Sequence, residues 1–444
     1  MANQKEVIDI SSAELRQAGD VNIEKVEIVS LASGKAFDIK NQVVTIQIFE
    51  DLFSPFMTGS LIIKDSLDLV NNLPYVGEEY IDLKIFTPTI DQTLGGQGVI
   101  EDRFYIYKIT DREYVAEKSV VYQIHFISIE AVVDLNLSLS RPFKGKISNI
   151  VSSIVKDKNY LASEKTLILE ETKNETKFIS NYWPPTKCIN YTLQQATNSN
   201  GSTTYLFFEN RMGFNFVTLD YLNEKEAHQY FKYGVPTSSI SKDGGSSRVL
   251  DREFSRILEI HVSSGFDYID RVRNAAYASR QIVHDSTTKR YKTINYDYLS
   301  KFAEGKETRL NLFPITTDTI AARVGAKIIV TETENQLFTG FGDISQSRSI
   351  QDRISRMKQA EAFKVKIRVK GRTDYTVGQK IYLDINTPSP TQDSDTQSDL
   401  VDKMYSGNYL IAAINHYIDR EAHECHIEAI KDSLIFDLRT GETK

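Results

Sequence analysis

Four residues able to bind a metal or carry a proton crowd into one short stretch near the C-terminus: His416, His423, Cys425 and His426. Imidazole and thiolate are the ligands zinc prefers. The stretch reads as two adjacent strands. Residues i and i+2 of a strand share a face, so His423 and Cys425 point together while His426 points away. A zinc site wants three or four convergent donors, and this spacing matches none of the usual zinc patterns. The expectation is therefore strand side chains packed in a sheet wall, with no metal and no cofactor. His125, His228, His261 and His284 are scattered and have no obvious partner in sequence. The chain holds 60 acidic residues, so a glycosidase-like pair is available in number, yet nothing marks any two as a buried pair. There is no G-x-S-x-G, H-E-x-x-H, P-loop or papain-like cysteine pattern. Gly95, Gly96 and Gly98 lie in a polar stretch with no helix after them, which argues against a phosphate cradle. No residue is nominated as catalytic, cofactor-binding or metal-binding.

Composition points the same way. The chain has 444 residues, 41% hydrophobic and 25% charged, enough for two to four domains with sizeable cores. Tyr and Phe number 23 and 22 against one Trp, and with abundant β-branched residues this leans towards strands. The formal charge of -7 argues against a protein that grips phosphates, without excluding a conduit along which DNA slides. Cys188 and Cys425 are far apart and read as reduced thiols of a cytoplasmically made protein. The N-terminal residues carry no apolar signal-like segment, and no apolar run is long enough to span a membrane.

The positioning elements follow from periodicity. Val43–Phe49 alternates as a half-buried strand, and Ser54-Pro55 breaks it. Thr58-Gly59 is expected to turn the chain back into a strand over Ser60–Lys64. Asp65 and Ser66 can cap a short helix bearing Leu67, Leu69, Val70 and Leu73. Gly77-Glu78-Glu79 turns into a strand over Tyr80–Phe86. Arg103–Asp111 and Lys118–Ile129 form a hairpin. A helix follows over Lys146–Lys156, with Ile147, Ile150, Val151 and Ile154 on one face. Asn190 is expected to cap a second helix, and Tyr205–Leu222 holds a hairpin around Gly213. Further strands are expected at Arg256–Ser264 and Lys289–Tyr298, separated by a basic, partly helical stretch carrying Arg271, Arg273 and Arg280. A helix beginning at Ser349, with Ser349 and Asp352 as its capping box, turns Ile350, Ile354 and Met357 inward and leaves Arg353, Arg356 and Lys358 to solvent. Strands over Phe363–Val369, Gln379–Ile385, Tyr409–Ile418 and Glu421–Ile430 finish the chain, with Asp393–Asp402 as a hairpin tip.

Several of these residues together resemble the central hub protein of T-even-like contractile phage baseplates. In order they are Phe49-Glu50-Asp51, the G-x-L-x-I-x-D run Gly59, Leu61, Ile63 and Asp65, then Gly77-Glu78-Glu79. The C-terminal half adds Val377-Gly378 with Ile381, and Ser406-Gly407-Asn408-Tyr409-Leu410-Ile411 leading to His416. The resemblance implies a mainly β fold with α+β insertions: two antiparallel β-barrel tube domains and a small α+β linker domain. On this scheme 1–20 is an N-terminal arm, 21–137 the first tube domain and 138–237 the α+β linker domain. Residues 238–345 form a linker or insertion and the start of the second barrel, 346–435 the second tube domain, and 436–444 a tail.

The resemblance also implies a function: a structural virion protein, assembled in the host cytoplasm, with no enzymatic activity. As a homotrimer it would place six barrels around an axis and join a sixfold tail tube to a threefold central spike. It would nucleate baseplate and tube assembly and leave a passage for DNA. Implied partners are the trimeric spike, a tube or tube-initiator ring, and the C-terminal end of the tape measure. A lumen lined by carboxylates would keep DNA from sticking. The competing readings are a tail-associated cell-wall hydrolase and a receptor-binding tail protein. The first lacks a nucleophile or metal motif, and the second lacks repeats and a fibrous shaft.

Overall fold

The computed structural model describes residues 17–31, 34–66, 69, 77–88, 98–116, 119–234, 252–264, 267–285, 289–298, 327–332, 345–387 and 401–434. The expected helix after Asp65, the Gly95-Gly96 stretch, the Ser/Gly stretch Ser238–Arg248 and most of the Asp393–Asp402 tip lie outside these residues. The Asp65 side chain accepts the Leu69 amide at 2.8 Å.

The N-terminal part is antiparallel: β1 (Asn22–Ser30), β2 (Lys35–Asp38), β3 (Val43–Asp51), β4 (Thr58–Asp65), β5 (Glu79–Phe86), β6 (Val99–Ala116) and β7 (Ser119–Ser128). Alternation along these strands puts Val26, Ile46, Leu61, Ile81, Phe104 and Phe126 into one core. Gly59 does not turn the chain, as expected from sequence, but lies inside β4. A Cβ there would sit 2.2 Å from the Phe126 ring, so the glycine makes room for an aromatic from β7. The chain reverses instead in the residues before Thr58. Helix α1 (Ile129–Asn136), which the sequence reading did not foresee, follows β7 directly.

The middle of the chain runs β8 (Pro142–Lys146), α2 (Ile147–Lys156), β9 (Leu167–Leu169), β10 (Glu175–Ile179), α3 (Pro185–Leu193), β11 (Tyr205–Asn210), β12 (Gly213–Thr218), α4 (Leu219–Glu224) and β13 (Gln229–Tyr233). The spacing in α2 buries Ile147, Ile150, Val151 and Ile154 as expected. Helix α3 begins at Pro185 rather than at Asn190, which lies exposed inside it. Its cap comes from far away: Asp134 of α1 accepts the Thr186 amide at 2.7 Å and its hydroxyl at 2.6 Å. Proline in the first helical turn loses no hydrogen bond, so no sequence-local cap is needed.

The C-terminal part holds β14 (Ile257–Ser264), α5 (Tyr268–Arg273), β15 (Ala278–Asp285), β16 (Arg290–Asp297), β17 (Ile328–Glu332), α6 (Ser345–Ala360), β18 (Phe363–Lys370), β19 (Lys380–Ile385), β20 (Gly407–Asp419) and β21 (His423–Lys431). Two expectations need correction. Helix α6 starts at Ser345, so Ser349 is interior and Asp352 is not a cap; Asp352 accepts the hydroxyls of Thr203 at 2.9 Å and Tyr296 at 3.1 Å. Arg353 and Arg356 of this helix are not solvated either. Arg353 donates to the carbonyls of Thr203 and Tyr205, and Arg356 pairs with Asp220. Arg271 of α5 is likewise buried, donating to the Ala362 carbonyl at 2.7 Å. Basic residues on a helix face read as solvated because their buried carbonyl and carboxylate acceptors are distant in sequence.

The fold is mainly β with α+β insertions, as expected. Its main sheet has 13 strands along the path β14-β18-β21-β20-β3-β4-β7-β6-β5-β1-β2, with β19 beside β20 and β13 beside β19. The two halves of the chain join where β3 pairs antiparallel with β20, in the register Ile46 to Ile418, Ile48 to His416 and Glu50 to Ile414. Each half leaves one alternating strand with an open edge, and pairing those edges satisfies both. Among the described residues the path does not close on itself into a ring. Strand β13, from the stretch expected to be the linker domain, pairs with β19, and β14, from the stretch expected to hold an insertion and the start of the second barrel, pairs with β18.

Candidate functional site

Three clusters of buried polar side chains stand out among the described residues. The first involves two of the motif stretches singled out from sequence. Glu50, on β3, is fully buried and reaches the turn that carries Val377-Gly378. Its Oε2 accepts the Val377 amide at 3.0 Å and the Thr376 hydroxyl, while Oε1 accepts the Arg211 amide at 3.2 Å. Burial pushes the Glu50 carboxyl up, and the Thr376 and Val377 donors pull it back. Gly378 makes the turn with φ +81°. Next to it, Asp374 takes both Arg372 Nε and Nη2, at 2.9 and 2.6 Å, and His228 Nε2 at 2.8 Å. Burial would raise the Asp374 carboxyl, but His228 and Arg372 outweigh it and hold it below the usual range. Strand β3, the β11–β12 turn and the turn before β19 are thus tied through one carboxylate.

The second cluster ties the N-terminal strands to the α+β middle. Lys165 Nζ lies 2.5 Å from Glu209 Oε1, 2.6 Å from Asp102 Oδ2 and 3.5 Å from Glu130 Oε2. Glu209 Oε2 also accepts the Met57 amide at 2.9 Å and the Ser128 hydroxyl at 2.6 Å. Burial pulls the ammonium down, but Glu209, Asp102 and Glu130 together hold Lys165 above its ordinary value. Burial pushes Glu209 up to about 7 against the pull of Lys165.

The third is the histidine–cysteine stretch. His416 on β20 sits opposite Cys425 on β21 in the ladder, so the pair on β21 gains a third member from its neighbour strand. His416 Nδ1 is 3.1 Å from His423 Nε2, and Cys425 Sγ is 3.4 and 3.5 Å from these two nitrogens. All three residues are buried. Burial drives the His416 ring down to about 4, drives His423 well below its ordinary value and raises the Cys425 thiol. His423 lies against Gly371, where a Cβ would come within 2.3 Å of the ring. His426 faces away, as expected, and stacks on Tyr417. Of the remaining histidines, His125 meets the Thr110 hydroxyl at 2.9 Å and His228 joins the Asp374 cluster. What sequence reasoning missed was Lys165, Glu209 and Asp374. They carry no spacing signal, because each partner lies on a different element.

No protein-family profile matches the chain. Among curated proteins, one named "Probable baseplate hub protein gp334" of Vibrio phage KVP40 is 22% identical over 97% of this chain and 100% of its own length. Among solved structures, the tail protein from Neisseria meningitidis MC58 superposes with a TM-score of 0.54 at 9% identity, covering 92% of this chain and 96% of its own. The chain shares the fold of that tail protein. The 43 kDa tail protein of prophage MuSo2 from Shewanella oneidensis aligns over 92% of this chain and 98% of its own, at 10% identity and a TM-score of 0.49. The hub-family resemblance read from Phe49-Glu50-Asp51, Val377-Gly378 and the neighbouring motifs is borne out at the level of sequence and fold. The relatives are named as baseplate hub and tail proteins. Among the described residues, no helix is long and apolar enough to cross a membrane.

Proposed function

We propose that this protein is a trimeric baseplate hub of a contractile-tailed phage, non-enzymatic and located in the virion tail. The observation that carries the reading is the order of strands across the seam. On one side β3 is followed outward by β4, β7 and β6; on the other, β20 is followed by β21, β18 and β14. Two sheet halves, each of consecutive antiparallel pairs, therefore stand side by side in one chain. Three copies place six such halves around an axis, the arrangement needed to join a sixfold tube to a threefold spike. The relative named as a baseplate hub aligns over 97% of this chain, which supports the same reading. In it, 21–137 and 346–435 are the two tube domains, 138–237 the linker domain and 238–345 the insertion that adds β14 to the second. The spike, a tube or tube-initiator ring and the tape-measure end are the partners, and DNA passes through the lumen.

The test is native mass. The purified chain, alone and mixed with the trimeric spike of the same phage, is measured by light scattering and imaged in projection. A threefold mass in either sample, with a ring, is the expected result. A monomer in both removes the hub reading and turns attention to peptidoglycan cleavage and cell binding.

A further inference from the structure

We propose that His416, His423 and Cys425 form a buried structural site for a soft divalent transition metal of the zinc class. The residues come from two strands, and the β20–β21 ladder, not sequence spacing, brings them together. Their donor atoms form a triangle with sides of 3.1, 3.4 and 3.5 Å. Zinc bonds of about 2.0–2.1 Å to nitrogen and about 2.3 Å to sulfur put tetrahedral donors about 3.3–3.6 Å apart. The triangle therefore needs shifts of only a few tenths of an ångström. Two imidazoles and a thiolate are a donor set that selects zinc-class ions over magnesium or calcium.

The surroundings fit a structural role. His416, Cys425 and His423 are sealed from solvent, so no substrate can reach the ion. The Arg372 carbonyl oxygen lies 4.0 Å from Cys425 Sγ and is a candidate fourth donor. Gly371 lets the chain pass directly over the His423 ring. An ion here would pin the β20–β21 pair to the turn before β19, at the β3–β20 seam, where His416 pairs with Ile48. His423 Nδ1 has no hydrogen-bond partner among the described residues, whereas His416 also meets the Tyr375 backbone, which helps to orient its ring. Binding removes the proton from the Cys425 thiol, releases it to solvent and uses both histidines neutral.

Because the site is sealed, loading accompanies folding. The full chain is expressed in zinc-supplemented medium, passed through a desalting column, and its metal content measured by mass spectrometry. The expected result is about one zinc per chain, falling about tenfold or more in Cys425→Ala and in His416→Gln, and unchanged in Cys188→Ala. Refolding with cobalt gives an independent reading: a thiolate-to-cobalt charge-transfer band, absent in Cys425→Ala. Should the ligand variants fail to fold, wild-type protein refolded with zinc and with chelator is compared by thermal melting, and a higher midpoint with zinc supports the site. Wild-type protein without bound metal and with identical melts would overturn the proposal. So would equal loss of metal in Cys188→Ala.

Discussion

Replacing Lys165 with methionine tests the physics that holds the N-terminal strands to the α+β middle. Methionine keeps the side-chain length and the packing over the Phe104 ring, which lies 5.8 Å from Nζ. It removes the cation that faces Glu209, Asp102 and Glu130. Breaking a buried ion pair from one side costs about 3–5 kcal/mol, because the remaining charges stay buried without compensation. The pH dependence has a definite sign. Glu209 is pushed up to about 7 from an ordinary 4.5, so the native state keeps a proton that the unfolded chain loses. This group therefore lowers stability as pH rises through that window, by about 3 kcal/mol in all. Lys165 is raised above 10.5, so its contribution is fully present below that pH and is lost only above it. Without Lys165 the Glu209 carboxyl rises past 7, and the variant continues to lose stability where the wild type has levelled off. The gap between them should widen above pH 7 by about 1.4 kcal/mol per unit. Urea unfolding of both proteins at pH 5, 7 and 8 measures the gap. Hydrogen exchange at the Met57 amide, which donates to Glu209, reports the site locally. A loss under about 1 kcal/mol at pH 8, or the same gap at pH 5 and 8, would refute the argument.

Two further substitutions probe single contacts. Gly59→Ala drives a methyl into the Phe126 ring and should cost about 1–3 kcal/mol by overpacking; an unchanged melting midpoint would show that the ring has room to move. Asp134→Ala removes the distant cap of α3 and should cost about 1–2 kcal/mol, with faster amide exchange at Thr186; retained protection there would mean that the Pro185 start is sufficient by itself. The trimer mass and the metal content described above complete the set.

Legibility differed by element. Strands β3 and β7 were readable because one face is buried and the other is not, which writes a period of two into the sequence. Helix α2 was readable for the same reason at helical spacing. The starts of α3 and α6 were misread because a serine or asparagine looks like a cap wherever it precedes an apolar run. In α3 the cap comes from Asp134, about fifty residues away in sequence. Helix α6 defeats its own pattern: Gln351, Asp352, Ser355, Arg356 and Gln359 are buried, so its hydrophobic periodicity does not mark its inward face.

By itself the sequence determined the β-rich class and the hairpins, because these follow from local periodicity and short-range turns. Tertiary structure alone decided which open edges meet, and so fused the halves at β3 and β20. It also decided which charges are buried together, at Glu50, Asp374 and Lys165. The histidines show the division most sharply. Sequence put His423 and Cys425 on one face, but only the register of β20 against β21 placed His416 beside them, since pairing between strands depends on contacts that no single strand encodes.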